Sequence, residues 1–133
     1  MTLKEIRWKQ RFINLKKAYR QLSDANEKYS ELSVLEKEGL VQRFEYTFEL
    51  SWKTLKDYLE SKGMATQFPR EAIKEAFSSG VLAYGEAWID MLDNRNLMSH
   101  TYQEEVFREV VDKIHRIYFP AITQLVEYLE KEL

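Results

Sequence analysis

The chain has 133 residues, 44% hydrophobic and 14% aromatic, with 20 Lys+Arg against 22 Asp+Glu and a formal charge of −2, which suits one globular domain over residues 1–133. It has no cysteine, which excludes a disulfide scaffold, a thiol nucleophile and a thiolate metal site. No apolar run reaches the ~20 residues that cross a bilayer and residues 1–10 lack a signal-peptide core, so we expect a cytoplasmic protein with no membrane contact.

The first predicted helix is amphipathic and basic. Its apolar residues recur at helical spacing: Trp8, Phe12, Leu15, Tyr19, Leu22 and Tyr29. On the opposite, solvent-facing side we expect Lys9, Lys16 and Arg20. Residues 1–32 carry eight Lys/Arg and four Asp/Glu, whereas the rest of the chain is acidic. This basic helix either faces a polyanion or pairs with acidic groups of the same chain.

The second predicted helix begins at Ser33, because Glu36 three residues later completes a capping-box pattern, and it ends before Gly63. Its main apolar face runs through Leu40, Val41, Phe44, Phe48, Trp52, Leu55 and Leu59. Tyr46 and Leu50 project away from that face. Two apolar faces on one helix indicate that a second body covers it.

Shorter elements follow. Pro69 predicts the first turn of a short helix over 70–79, and helix resumes from about residue 86 to 97. A last helical segment runs from 102 to 133, and Pro120 within it should kink or break it. We therefore predict an all-α fold, an antiparallel up-and-down four-helix bundle with an additional short helix.

The familiar catalytic motifs are missing. The two histidines, His100 and His115, do not form the paired Glu-x-x-His motifs of a di-iron bundle, so no metal is expected, and His115 is expected on a helix surface. The sequence contains no phosphate-binding P-loop, no G-x-G-x-x-G and no G-x-S-x-G. No Asp-x-Asp pair is present to hold two magnesium ions, so the chain is not itself a nucleotidyltransferase.

One polar segment stands out, at residues 93–102. On a helix, Arg95, Ser99 and Tyr102 share one face, and Asn96 and His100 form the adjacent ridge. Thr101 and Glu104 give a second capping-box pattern, so the helix is expected to stop and restart here. A cation, a titratable imidazole and a helix end together suit a phosphate site. The alternative is a polar helix junction whose side chains satisfy one another.

The arrangement Arg95-x4-His100-x-Tyr102 resembles the R-x(4–6)-H signature of HEPN proteins that carry an added tyrosine. Residues 43–56, 69–77 and 88–102 are similar to the second, third and fourth helices of small stand-alone HEPN proteins encoded beside a minimal nucleotidyltransferase. This is the HepT-like ribonuclease toxin, or nucleotidyltransferase substrate-binding subunit, family. The motif alone is weak, but together with the other two blocks it is specific.

The resemblance implies a homodimer whose Arg/His motifs face a shared cleft, with no cofactor. In one reading the protein is a toxin of a toxin–antitoxin module, a metal-independent endoribonuclease neutralised when the partner nucleotidyltransferase transfers AMP to a tyrosine. Arg95 and His100 would then be catalytic, Asn96 and Ser99 supporting, and Tyr102 the AMP acceptor. In the other reading it is a non-catalytic subunit that binds substrate or nucleotide for the nucleotidyltransferase. A purely structural helical dimer is a third possibility.

The first reading is chemically coherent. Metal-free RNA cleavage uses the 2′-hydroxyl as the nucleophile and needs a base, an acid and a cation. Histidine is the side chain whose unperturbed pKa lies near neutral pH, so His100 suits a base or acid, and Arg95 can stabilise the charged phosphorane. One histidine cannot readily supply both acid and base in one step, and a two-fold dimer would bring a second His100.

Overall fold

The computed structural model describes residues 1–95 and 103–133, and the described residues are helical with turns and short connectors. The helices are α1 (Leu3–Glu27), α2 (Val34–Ser61), α3 (Pro69–Ser78), α4 (Gly85–Asn94), α5 (Glu104–Lys113) and α6 (Phe119–Lys131). A 3₁₀ turn, Tyr29–Glu31, follows α1, and a π-helical segment, Ile114–Tyr118, joins α5 to α6. The predicted all-α bundle with one short extra helix, α3, is confirmed.

The bundle is built around α2. It packs against α1, α3 and α5, while α1 also packs against α6 and α4 against the π segment. One continuous apolar cluster draws on every helix, and its largest fully buried side chains include Phe12, Phe44, Phe48, Trp88 and Tyr118. The predicted stripe of α1 is buried at Trp8, Phe12, Leu15 and Leu22. Apolar periodicity therefore identified the core faces of the long helices.

The start and end of α2 follow the predicted local chemistry. The Ser33 hydroxyl accepts from the backbone N–H of Glu36 at 3.1 Å, and the Glu36 carboxylate accepts from the backbone N–H of Ser33 at 2.9 Å. After the helix, Gly63 adopts a φ of +88°, which lies in the left-handed region that favours glycine. Pro69 begins α3 as expected.

Pro120 neither breaks nor ends the last helix. It occupies the first turn of α6, directly after the π segment, in which the backbone N–H of Phe119 donates to the Ile114 carbonyl five residues back. Because proline lacks an N–H and its ring crowds the carbonyl four residues earlier, a wider π turn accommodates it. The interruption predicted at Pro120 is therefore a local change in the helix hydrogen bonds, which reach five residues back instead of four in the turn before the proline.

Two expectations for individual residues were wrong. Lys16 does not extend freely into solvent, because its ammonium lies 5.1 Å from the centre of the Phe12 ring and 3.1 Å from the Glu130 carboxylate. His115 lies partly exposed in the π-helical segment, with its ring stacked on Tyr29 at 4.0 Å. Tyr29 itself lies in the 3₁₀ turn, not in α1.

Candidate functional site

Arg95 lies at the C-terminal end of α4. It is the C-cap residue, with helical φ and ψ of −58° and −27°. Its positive charge there is favourable because the last carbonyls of a helix carry partial negative charge. The other predicted site residues, Asn96, Ser99, His100 and Tyr102, lie outside the described residues, as does Thr101. The structure therefore locates one predicted site residue, Arg95, and does not test the others.

The Arg95 guanidinium has a carboxylate neighbour on α2. Its Nη1 lies 3.4 Å from Oε1 of Glu49, and the Arg95 side chain is 28% exposed. Charge-assisted N–H···O bonds are typically ~2.7–2.9 Å long, so this contact is loose. Arg95 is therefore partly open to solvent, and no tight ion pair holds it among residues 1–95 and 103–133.

Glu49 has a second partner. Its other carboxylate oxygen, Oε2, accepts a hydrogen bond from the indole Nε1 of Trp52 at 3.0 Å. Trp52 lies one turn further along α2, and its half-buried ring packs on the core. One oxygen of Glu49 thus faces the half-buried Trp52 indole and the other faces Arg95. Sequence analysis placed Trp52 on the apolar face of α2 but did not find this link.

The last turn of α4 is tied to the C-terminal helices by a polar cluster around the buried Tyr118 ring. The Tyr118 hydroxyl donates to Asp90 Oδ2 at 2.5 Å and accepts from Asn94 Nδ2 at 2.6 Å. The ammonium of Lys113 lies 3.1 Å from the same Asp90 oxygen. Asn94 directly precedes Arg95, so this cluster fixes the backbone from which the arginine projects.

Burial raises the pKa of two groups in this region, Tyr118 and Glu45. Burial raises the pKa of Tyr118, and the hydrogen bond to Asp90 adds to that shift, so the hydroxyl keeps its proton at neutral pH. Burial also raises the pKa of Glu45, one helical turn before Glu49 on α2. The α2 surface one turn before Glu49 therefore carries a carboxyl group whose charged form is less favoured than usual.

A further ion pair links α3 to α4. Arg70 Nη2 lies 2.8 Å from Asp93 Oδ1, two residues before Arg95. Both side chains are at least half exposed, so the pair contributes little to stability and chiefly orients the surface side chains of α3 and α4.

No motif in the sequence pointed to Asp90, Glu49 or Tyr118. Asp90 and Asn94, four residues apart, are the one local signal that could have indicated a polar ridge on α4.

The second apolar face predicted for α2 is present in part. Leu50 is half-buried against the chain's own core, so it is not a free interface residue. Tyr46 is 58% exposed. It lies three residues before Glu49, on the same side of the helix. The exposed part of this face is thus an aromatic ring close to Glu49.

The structure gives no sign of a metal or membrane site among the residues it describes. Within 1–95 and 103–133 there is no group of three or more His, Cys, Asp or Glu side chains that could hold a metal ion. None of the helices in the same ranges is both long and apolar enough to cross a bilayer.

The fold and the polar site at the end of α4 define an all-α bundle with an arginine presented at its surface. A family model described as "Nucleotidyltransferase substrate binding protein like" matches residues 10–131. The chain belongs to this family.

Individual relatives agree with that assignment. The chain is 29% identical over 102 residues to a protein of Haemophilus influenzae named probable ribonuclease HepT, covering 71% of this chain and 70% of the relative. A crystal structure of a Thermus thermophilus protein is 31% identical with a TM-score of 0.72, covering 89% of this chain and 97% of that one. A Haemophilus influenzae structure described as revealing the fold of a nucleotidyltransferase substrate-binding domain is 25% identical with a TM-score of 0.63, covering 92% and 96%. The resemblance drawn from the sequence is confirmed at the level of the family.

Proposed function

We propose that this protein is a HEPN-type endoribonuclease that cleaves RNA without a metal ion, using Arg95 and His100. The observation that carries the proposal is the state of Arg95, partly exposed at the end of α4 and 3.4 Å from a single carboxylate, Glu49, among the described residues. A guanidinium held in that way is positioned but still open to a phosphate. The similarity to a probable ribonuclease HepT supports the same reading.

The proposed reaction is an intramolecular transesterification. The 2′-hydroxyl oxygen attacks the adjacent phosphorus, its proton passes to a neutral imidazole, and the bond from phosphorus to the 5′-oxygen breaks. The leaving 5′-oxygen takes a proton from an imidazolium. The products are a 2′,3′-cyclic phosphate and a free 5′-hydroxyl. Arg95 donates hydrogen bonds to the phosphorane oxygens, where negative charge develops.

The two proton transfers explain the proposed homodimer. Each chain supplies one His100, and His115 is engaged elsewhere, with its Nδ1 2.9 Å from Asn26 Oδ1. A shared cleft provides one imidazole as base and the other as acid. We place the exposed Tyr46 ring of α2 in the contact between the two copies.

Control of this activity is proposed to come from a partner nucleotidyltransferase, encoded nearby and acting in the cytoplasm. The Tyr102 oxygen attacks the α-phosphorus of ATP, a tyrosyl–AMP bond forms and pyrophosphate leaves. Tyr102 follows His100 by two residues, so the added phosphate lies close to the motif in sequence. Its negative charge would repel RNA and occupy the cationic groups that RNA needs.

Cleavage of single-stranded RNA in EDTA tests the nuclease. Arg95→Ala and His100→Ala are expected to abolish cleavage. Arg108→Ala and His115→Ala are the matched controls, because Arg108 is an exposed arginine whose partner is Glu104 and His115 is the other histidine. The controls should retain cleavage. Cleavage that survives in both motif variants would contradict the proposed roles.

A second candidate function has its own support. The family description and the Haemophilus structure both refer to substrate binding for a nucleotidyltransferase. In that case the wild-type protein cleaves no RNA, and Arg95→Ala instead loses affinity for a nucleotide in a direct titration.

Modification of Tyr102 is tested with the partner enzyme and ATP. Tyr102→Phe should abolish the mass increase of AMP transfer, whereas Tyr84→Phe, at a tyrosine that is 54% exposed, should not.

A further inference from the structure

We propose that Glu49 is the positioning residue for Arg95, and that a carboxylate is required at position 49 because each of its oxygens accepts from a different donor. The proposal rests on the nuclease function and adds a residue that lies 46 positions before Arg95 in the chain. Oε1 faces Arg95 Nη1 at 3.4 Å and Oε2 faces Trp52 Nε1 at 3.0 Å. Glu49 acts through Arg95 and does not touch the RNA.

The chain of contacts runs from the core to the surface. The Trp52 ring is half-buried against the core, which limits its movement, and its indole N–H fixes one oxygen of Glu49. The other oxygen then lies at a defined place beside α4. The exposed fraction is 44% for the Glu49 side chain and 28% for Arg95, so the pair lies at the surface, where a phosphate can reach the guanidinium.

The long contact to Arg95 suits this role. A short bidentate ion pair would satisfy the guanidinium and oppose phosphate binding. In the part of the chain that the structure describes, a single 3.4 Å contact restricts the direction of the side chain and occupies one guanidinium nitrogen, so the contact itself leaves the other N–H groups for the ligand. The contact orients the Arg95 guanidinium toward the phosphorane oxygens. This orientation stabilises the transition state more than the bound substrate.

The chemistry of the carboxylate gives a sharp test. Glutamine has one accepting oxygen and one donating NH₂ group. In Glu49→Gln the NH₂ group therefore faces either the indole N–H of Trp52 or a guanidinium N–H of Arg95, and two donors form no hydrogen bond with each other. Trp52→Phe removes the indole donor and keeps an aromatic ring. In the double variant, the glutamine oxygen can turn to Arg95 with no donor opposing its NH₂. The double variant should therefore recover activity that Glu49→Gln has lost.

The experiment measures kcat and KM for cleavage of a single-stranded RNA in EDTA. Glu49→Gln is expected to lower kcat about 10- to 100-fold, since misplacement of a catalytic group by about 1 Å costs on that order. KM should stay within about three-fold, because the lost orientation acts in the transition state. Adding Trp52→Phe to Glu49→Gln should raise kcat again. Glu127→Gln, at an exposed glutamate on α6, is the matched control and should leave both constants unchanged.

The outcomes separate this inference from the proposed function. If Arg95→Ala abolishes cleavage while Glu49→Gln matches the wild type, the positioning role is wrong and the nuclease stands. If Glu49→Gln lowers KM and leaves kcat unchanged, Glu49 is a competitor of phosphate and not a positioning residue. If the double variant is worse than Glu49→Gln alone, the effect is structural. If Arg95→Ala still cleaves, the proposed function itself fails.

Discussion

Tyr118 holds the end of α4 in place through one hydroxyl group. The ring is buried and stacks on Phe44 with 5.1 Å between ring centres, and the hydroxyl links Asp90 to Asn94. Since Asn94 directly precedes Arg95, the position of the proposed catalytic arginine depends on a buried group in a different helical segment.

Tyr118→Phe should destabilise the protein by about 1–2 kcal/mol, because it removes a hydroxyl that both donates to Asp90 and accepts from Asn94 in a buried setting. Urea unfolding followed by circular dichroism measures the change. Tyr84→Phe is the matched control, at a tyrosine that is 54% exposed, and should change the free energy of unfolding by less than about 0.5 kcal/mol. Equal effects of the two substitutions would contradict the bridging role.

At this scale the sequence pointed to a candidate site but not to the contacts around it. Arg95 was singled out because arginine, histidine and tyrosine fall close together in a short segment. Glu49 was not, because its link to Arg95 joins residues 46 apart, and that link is set by how α2 and α4 pack. The bridging role of Tyr118 was hidden for the same reason, since its partner Asp90 lies 28 residues earlier.

Helix α2 contains one glycine and is followed by another, and the two have opposite roles. Gly39 lies within the helix, and a Cβ added there would meet nothing within 4 Å apart from its chain neighbours and the backbone of its own helix. Gly63 follows the helix with a φ of +88°, which a side chain disfavours.

Gly39→Ala should stabilise the protein by about 0.5–1 kcal/mol, because alanine restricts the unfolded chain and has a higher helix propensity. Gly63→Ala should destabilise it by about 1 kcal/mol, because the left-handed conformation is strained for alanine. The two substitutions are chemically identical and serve as each other's control in thermal unfolding. A shift of the same sign for both would show that local conformation does not decide the effect.

The N-terminal cap of α2 predicts a pH dependence. The hydrogen bond from the Ser33 backbone N–H lowers the pKa of Glu36 below its ordinary value of 4.5. A lowered pKa in the folded state means that the group stabilises the protein above pH 4.5 and that this contribution is lost as the pH falls through the folded pKa. Glu36→Gln should therefore reduce the loss of stability on acidification, as measured by urea midpoints on either side of that pH. An unchanged acid dependence would contradict the capping interaction.

Helix boundaries were predictable where a local motif sets them, as at Ser33, Gly63 and Pro69. Helix α5 begins at Glu104, after an extended Gln103 that makes no side-chain cap. The Thr101 of the predicted second capping box lies outside the described residues. Pro120 was expected to kink or break the last helix, and a π segment with the buried Ile114 and Tyr118 directly precedes the helix turn that contains it. The local sequence did not indicate that form of interruption.

On the scale of the whole molecule, the proposed nuclease requires two copies of the chain. We expect sedimentation equilibrium to give a mass about twice the 16.0 kDa of one chain. Tyr46→Glu should weaken this dimer, because it introduces a charge at the exposed aromatic residue placed between the copies. Tyr84→Glu is the control, at a tyrosine of similar exposure, and should leave the dimer intact. A dimer that resists Tyr46→Glu would place the interface elsewhere.

The charge of the whole molecule limits what RNA binding can depend on. A formal charge of −2 leaves little general attraction for a polyanion, so binding must come from a local cationic site. The proposed function assigns that role to Arg95 at the end of α4, and the basic α1 adds positive charge elsewhere on the bundle.

The most direct test is to identify the products of single-stranded RNA incubated with the purified protein in EDTA. If Arg95 and His100 act as proposed, mass spectrometry will find fragments with a 2′,3′-cyclic phosphate and a 5′-hydroxyl, and His100→Ala will form neither. Intact RNA with the wild-type protein, or fragments that end in a 3′-hydroxyl, would contradict the account.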